Sequence, residues 1–271
     1  MKNEELKSIV EHFDGVLTKR IDRLWRNVRD LVNAGYSQME SLFWLEKKLE
    51  LTEPLPPLRG WATSPDLLLK IHTYITQSKP NTIVEFGSGA STLVIADALR
   101  KNGGGKLYSF DDSEKFGAQT QSNIERELLV DYVDLTVAPL EPWRHSHLSS
   151  NQEVPLWYSA PNLDGLENID LVLVDGPPGN VCKYSRFPAV PAVIDKLHSA
   201  SQVWMDDTVR DEETQICKAW AELTKMSLEF ISLEKGLGVL SYSDENNALS
   251  NNPITAISEH NDSIMSKLDF R

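Results

Sequence analysis

The sequence has few cysteines, no long apolar run and no excess of basic residues, and each shortage excludes a class of protein. Its two cysteines, Cys182 and Cys217, show neither CxxC spacing nor a disulfide framework. No apolar run approaches the length of a membrane span, and residues 1–5 do not start a signal peptide, so we expect a cytoplasmic protein. With 27 basic against 40 acidic residues and a net charge of −13, the chain is not expected to bind nucleic acid, because phosphate neutralisation needs clustered Lys and Arg.

What is present is a chain long enough for one large α/β domain with an appendage. At 271 residues, 41% of them hydrophobic, it can bury a sizeable core. We assign residues 1–60 to an N-terminal helical extension and a proline-rich linker. Residues 61–242 form the main domain, and residues 243–271 form a polar C-terminal tail.

The first 50 residues or so have a helical pattern, with apolar positions at spacings of three and four. Two interpretations stay open. In one, the segment forms a helical hairpin packed on its own domain. In the other, the apolar stripe, which approaches a heptad repeat, joins two copies of the chain as a homodimer.

From residue 82 onwards, predicted strands and helices alternate, which is typical of a mostly parallel sheet with helices on both faces. We expect strands at 82–86, 106–110, 132–137, 169–174 and 202–205, and a closing hairpin at 227–233 and 237–241. We expect helices at 90–101, 113–129, 189–198 and 212–223, with a long irregular insertion at 139–167.

The most informative segment is Glu85-Phe86-Gly87-Ser88-Gly89, which follows the first predicted strand and opens a helix. This layout is typical of a nucleotide-type ligand site, because glycines let the backbone approach a ligand and expose its N–H groups. The dinucleotide fingerprint requires a third glycine where Thr92 stands. The carboxylate of Glu85 would repel a pyrophosphate but suits a cationic ligand, which points to S-adenosylmethionine.

These motifs resemble the class I S-adenosylmethionine-dependent methyltransferases over roughly residues 61–242. The resemblance implies an α/β, Rossmann-like, mostly parallel sheet of seven strands that ends in an antiparallel hairpin, with helices on both faces. It implies that Asp111, with Asp112 in reserve, accepts the ribose hydroxyls, and that adenine lies against the segment that contains Ala138. The further cofactor-binding residues are then Glu85, Gly87, Ser88, Gly89, Ser91 and Asp175.

Three carboxylates follow two neighbouring strands of the predicted sheet. Asp175 follows the fourth strand, and Asp206 and Asp207 follow the fifth. Since the carboxyl ends of parallel strands line one crevice, we expect these acids to lie close together. Uncompensated carboxylates raise one another's pKa, and a magnesium ion, which takes oxygen ligands, would remove that conflict. The alternative is that Asp206 and Asp207 only cap the following helix.

The placement of these acids is similar to the metal site of macrocin-type and catechol-type O-methyltransferases. The resemblance implies that Asp175, Asp206 and Asp207 hold a divalent ion, which binds two vicinal hydroxyls of the acceptor and acidifies one. Catechol-type enzymes carry a lysine where this chain has Pro178, so Lys183 is the nearest substitute. Arg186, in the same loop, is either an acceptor contact or a solvated residue. The candidate catalytic residues are Asp175, Asp206, Lys183 and, as a general base in the insertion, His145.

The leading interpretation is a metal-dependent methyltransferase that methylates a hydroxyl of a small polyhydroxyl acceptor, such as a sugar, a glycan terminus or a catechol-like molecule. One alternative keeps the fold without the metal, as an N-methyl- or aminopropyltransferase whose carboxylates bind an amine. The other is a non-catalytic binding module organised by the N-terminal helices.

Overall fold

A computed structural model gives the fold of residues 2–143, 154–159, 163 and 165–242. The helices are α1 (Lys2–Glu46), α2 (Pro65–Ser78), α3 (Ala90–Asn102), α4 (Glu114–Arg126) and α5 (Asp211–Thr224). The strands are β1 (Thr82–Phe86), β2 (Lys106–Asp111), β3 (Val133–Val137), β4 (Leu140–Pro142), β5 (Leu156–Tyr158), β6 (Ile169–Val174), β7 (Leu197–Asp206), β8 (Ser227–Ile231) and β9 (Leu237–Ser241).

Seven of the strands form one sheet in the order β3-β2-β1-β6-β7-β9-β8. The first five of these are parallel, and β9 runs antiparallel to both β7 and β8. The predicted seven-stranded sheet with a closing hairpin is therefore confirmed. The chain turns back between β1 and β6, and this switch point in strand order is where open parallel sheets bind ligands, outside the carboxyl ends of the strands.

The two faces of the sheet are covered in different ways. One face packs against α2, α3 and α4 through a cluster that includes Ile71, Ile95 and Leu171. The other face packs against α5, the small β4–β5 hairpin and the loop after β6, with Phe86, Phe187 and Trp220 in its cluster. Aromatic side chains from the insertion thus reach the face of the sheet beside the switch point.

The predicted helix over 189–198 is wrong. The structure has two short 3-10 turns, Phe187–Ala189 and Ile194–Lys196, and β7 begins at Leu197. Pro188 and Pro191 remove two backbone donors there, and β-branched residues are less favourable in helices. The apolar residues of the segment are still buried, because the backbone wraps across the sheet as a loop.

The predicted N-terminal helical hairpin is also wrong, because α1 is one continuous helix of 45 residues. Gly35 lies within this helix. A glycine inside a helix costs about 1 kcal/mol relative to alanine, which is too little to end the helix. Among the described side chains of α1, those that dock on the domain lie in its last turns, where Leu45 is fully buried with Leu68 and Val94. Within the described residues, no helix combines the length and apolarity needed to cross a bilayer. The tail at 243–271 lies outside the described residues.

Candidate functional site

The glycine loop after β1 packs against the backbone that follows β6 at the switch point. Gly87 has a φ of +96°, and a Cβ there would lie 2.9 Å from the carbonyl carbon of Asp175 and 2.9 Å from the nitrogen of Gly176. Its N–H donates to the carbonyl of Phe110 at 2.8 Å. Only glycine fits this position, so the loop joins the ends of β1, β2 and β6 at one point.

Glu85 lies beneath the loop. It is fully buried, and its Oε2 accepts hydrogen bonds from the hydroxyls of Thr92 and Ser109, both at 2.6 Å. Thr92 Oγ1 in turn accepts the N–H of Gly89 at 2.9 Å, which explains why threonine stands where a dinucleotide site has glycine. Burial raises the pKa of Glu85 to about 7, although hydrogen bonds from Ser109, Ser91 and Thr92 oppose the shift.

Asp111, at the end of β2, is tied to the same loop. Its Oδ2 accepts the N–H of Ser88 at 3.0 Å and the hydroxyl of Ser88 at 2.5 Å, and its Oδ1 accepts the N–H of Ser113 at 2.8 Å. Ala138 follows β3 and donates its N–H to the carbonyl of Asp111 at 2.8 Å. Burial, and then the charge of Asp111, raises the pKa of Asp112. The predicted cofactor residues of β1, β2 and β3 therefore lie side by side along one sheet edge.

Arg186 lies between the carboxylates that follow β6 and β7. Only 3% of its side chain is exposed, and its Nη2 donates to Asp175 Oδ1 at 3.3 Å and to Asp207 Oδ2 at 3.0 Å. The guanidinium also donates to the backbone carbonyls of Asp175, Pro177 and Asp206. The expected proximity of the three acids is present, and Arg186 is a buried counterion for them instead of a solvated loop residue.

The three carboxylates differ in their surroundings. Burial raises the pKa of Asp175 to about 6, against the opposing effect of Arg186. Burial, followed by the charges of Asp175 and Asp207, raises the pKa of Asp206 well above its ordinary value. Asp207 also pairs with Arg210 at 3.2 Å, with side-chain exposures of 7% and 44%. Asp175 is the most accessible of the three acids, with 11% of its side chain exposed, compared with full burial of Asp206.

These carboxylates do not fit the predicted magnesium ion. Two of them already accept bonds from Arg186, and an arginine stays protonated and cannot serve as a metal ligand. A divalent ion bridging Asp175 and Asp207 would have to displace that buried guanidinium. Over the described ranges, no group of three or more His, Cys, Asp or Glu side chains is arranged to hold a metal.

The linker before α2 also reaches this crevice, which the sequence did not indicate. Thr63 is buried and donates its hydroxyl to Asp175 Oδ2 at 3.0 Å. Lys235 Nζ donates to the carbonyls of Gly60 and Ala62 at 2.9 and 2.8 Å, which holds the linker against the β8–β9 connection. Thr63 and Asp175 are 112 positions apart, so no local sequence pattern could have paired them.

A tyrosine from the insertion lies against the switch point. The ring of Tyr158, on β5, stacks at 5.8 Å from the ring of Phe86. Its hydroxyl would be 2.5 Å from a Cβ placed on Gly176, and it is buried without a hydrogen-bond partner among the described residues. Burial, and then the charges of Asp112 and Asp111, raises the pKa of Tyr158 well above its ordinary value, so the hydroxyl keeps its proton.

Of the two other predicted catalytic residues, the structure describes one. Lys183 lies in the loop after β6, with Nζ 5.6 Å from the ring centroid of Tyr184. His145 lies outside the described residues. The tertiary structure adds Thr63 and Tyr158 to the predicted set. It makes Arg186, which the sequence offered as an acceptor contact or a solvated residue, a buried counterion.

Comparisons with known proteins agree with this arrangement. Residues 84–208 match the family model described as a methyltransferase domain. An SAH-bound methyltransferase from Podospora anserina shares 16% identity, with 76% of this chain and 88% of that chain covered and a TM-score of 0.53. An O-methyltransferase from Bacillus cereus, solved in complex with SAH, shares 18% identity over 68% of this chain and 84% of that chain, with a TM-score of 0.50. At these identities, the solved structures establish the fold alone. No curated protein sequence matches the chain.

Proposed function

We propose that the chain is a class I S-adenosylmethionine-dependent methyltransferase, in line with the match of residues 84–208 to a methyltransferase domain, and that it methylates a hydroxyl oxygen of a small acceptor with several hydroxyl groups, such as a sugar or a catechol. The observation that carries this proposal is the position of Asp175. This carboxylate adjoins the glycine loop at the switch point, has the most accessible side chain of the acid cluster and has a pKa of about 6. Such a group is mostly ionised at neutral pH and suited to accept a hydroxyl proton.

The cofactor would lie along the edge formed by the ends of β1, β2 and β3. In this proposal the loop Gly87-Ser88-Gly89 lines its amino-acid end, Asp111 and Asp112 accept the ribose hydroxyls, and Ala138 borders the base. Asp111 keeps acceptor capacity for this role, because each carboxylate oxygen has two lone-pair sites. Glu85 and Ser91 are buried, so we assign them to supporting the loop from beneath, without direct contact.

The chemistry we propose needs a proton acceptor and accurate positioning. When bound, S-adenosylmethionine supplies a methyl group on its sulfonium. Asp175 would take the proton of the acceptor hydroxyl as the oxygen bonds to the methyl carbon, while the carbon–sulfur bond breaks and its electrons stay on sulfur. Thr63 and Arg186 hold the two oxygens of Asp175 and so orient the carboxylate for this transfer.

We propose that the transfer proceeds without a divalent ion at the acid cluster. Support comes from Arg186, which already places a positive charge between the carboxylates of Asp175 and Asp207. Activity should therefore be unchanged after exhaustive treatment with EDTA and after addition of magnesium. Loss of activity on chelation, with recovery on adding magnesium, would refute this part of the proposal and leave the O-methyl assignment standing.

The decisive experiment is methyl transfer from labelled cofactor to a panel of sugars, catechols and amines. We expect label on hydroxyl-bearing acceptors, and loss of most of the rate in Asp175→Asn. The matched control is Asp195→Asn, since Asp195 precedes β7 at the opposite sheet edge with 59% of its side chain exposed. Label on amines alone would favour the metal-independent N-methyl alternative. The predicted non-catalytic module is set aside by the family match.

A further inference from the structure

The free part of α1 carries a narrow apolar seam. Leu17, Ile21, Leu24, Val28 and Leu31 follow one another at alternating spacings of four and three. All five are exposed, from 42% for Val28 to 74% for Leu31. A 3–4 repeat of this kind places the side chains along one line of a helix surface, which a partner helix is needed to cover.

Within the described ranges (2–143, 154–159, 163 and 165–242), the rest of the chain does not cover this seam. Residues 11–37 are exposed at every position, a stretch about 40 Å long at 1.5 Å per residue. Contact with the domain begins at Gln38, which exchanges two hydrogen bonds with Asp66 on α2. Helices in proteins draw most of their stability from packing an apolar face against other elements, so a long helix whose apolar face is exposed indicates a missing partner.

We propose that two copies of the chain associate through a parallel, two-stranded coiled coil formed by the α1 helices. In heptad terms, Leu17, Leu24 and Leu31 occupy the d positions, and Ile21 and Val28 occupy the a positions. β-branched residues at a with leucine at d favour two parallel strands over three or four. This inference is independent of the reaction proposed above.

The residues around the seam fit that occupant. The positions opposite the seam are polar: Lys19, Asp22, Arg23, Arg26, Arg29, Asp30 and Asn33. In a parallel pair, Arg20 at g faces Trp25 at the next e position of the other copy, within the reach of a cation–π contact. The seam ends at Gly35, one turn before the helix docks on its own domain, so both catalytic domains would lie at the same end of the coiled coil.

The first test is the mass of the full-length protein in solution, measured by light scattering at micromolar concentration. We expect twice the 30.5 kDa of one chain, and we expect Leu24→Asp to be monomeric. Asn33→Asp is the matched control, because it adds the same charge on the opposite face of the helix and should leave the dimer intact. A monomeric wild type, a trimer or tetramer, or a dimeric Leu24→Asp variant would each overturn the proposal. A monomer that binds anionic vesicles through α1 would assign the seam to a membrane surface instead.

The second test is orientation, by oxidation of variants that each introduce one cysteine into α1, with the parent chain, which carries Cys182 and Cys217, as the background control. Leu17→Cys and Leu31→Cys should each form a disulfide between copies, because a parallel pair brings identical d positions together. An antiparallel pair brings two identical residues together only at the centre of the pair. Residues 17 and 31 are about 21 Å apart along the helix, so an antiparallel pair cannot form both disulfides. Lys19→Cys, on the outer face, should not cross-link. Cross-linking of one core variant alone would refute the parallel arrangement.

Discussion

Replacement of Arg186 by methionine perturbs the strongest electrostatic feature of the site. Methionine keeps much of the length of the side chain but removes the five hydrogen bonds that Arg186 donates to two carboxylates and three backbone carbonyls. Breaking a buried ion pair by removing one partner costs about 3–5 kcal/mol, because the remaining charge is buried without compensation. Because the free energy of unfolding of a domain is only about 5–15 kcal/mol, Arg186→Met should lose a large part of the stability of the domain.

The size of this loss should depend on pH. Without the cation, the pKa values of Asp175 and Asp206 rise further above those of the unfolded chain. A carboxyl group with a raised folded-state pKa destabilises the fold progressively as pH increases from the unfolded pKa to the folded one. The difference in free energy of unfolding between wild type and Arg186→Met should therefore be larger near pH 8 than near pH 5.

Urea unfolding followed by circular dichroism at both pH values measures this difference. Arg210→Met is the matched control, because Arg210 pairs with Asp207 and Glu213 but is 44% exposed, and an exposed pair contributes about 1 kcal/mol or less. Equal losses for Arg186→Met and Arg210→Met, or a loss that does not grow with pH, would refute the role of Arg186 as counterion.

Three further predictions concern the cofactor and acceptor. Gly87→Ala should abolish cofactor binding in calorimetry, because its Cβ would lie 2.9 Å from backbone at a φ of +96°, whereas Gly104→Ala, with nothing within 4 Å, should bind like wild type. Tyr158→Phe should have the same urea midpoint as wild type, since the hydroxyl has no hydrogen-bond partner within the described part of the chain. It should lower kcat/KM about three- to tenfold if that hydroxyl donates to a bound molecule, and an unchanged kcat/KM would count against this contact. Finally, kcat/KM should fall as pH drops through about 6 and protonates Asp175, and a flat profile would exclude Asp175 as proton acceptor.

Predictions from the sequence succeeded where the signal is local. The strand, glycine turn and helix at 82–102 need only the spacing of apolar residues and two glycines, and the structure has β1, the loop and α3 at that place. The helix expected over 189–198 failed because the segment is apolar at many positions, and a buried loop and a buried helix share that composition. The helical hairpin failed because a lone glycine is a weak breaker.

The sequence by itself therefore determined the order along the chain of the seven strands of the main sheet, the glycine loop and the acids at the strand ends, because each depends on neighbours within a few residues. It did not indicate β4 and β5, which lie in the segment expected to be irregular. Only the tertiary structure decided what compensates those acids. Arg186 and Asp207 are 21 positions apart in the sequence, and Thr63 and Asp175 are 112 positions apart. Such pairs form only when the fold brings distant chain segments together at the edge of the sheet. The sequence also shows the apolar repeat of α1. Its exposure, on which the proposed dimer rests, is seen only in the structure, because α1 extends away from the described part of its own domain.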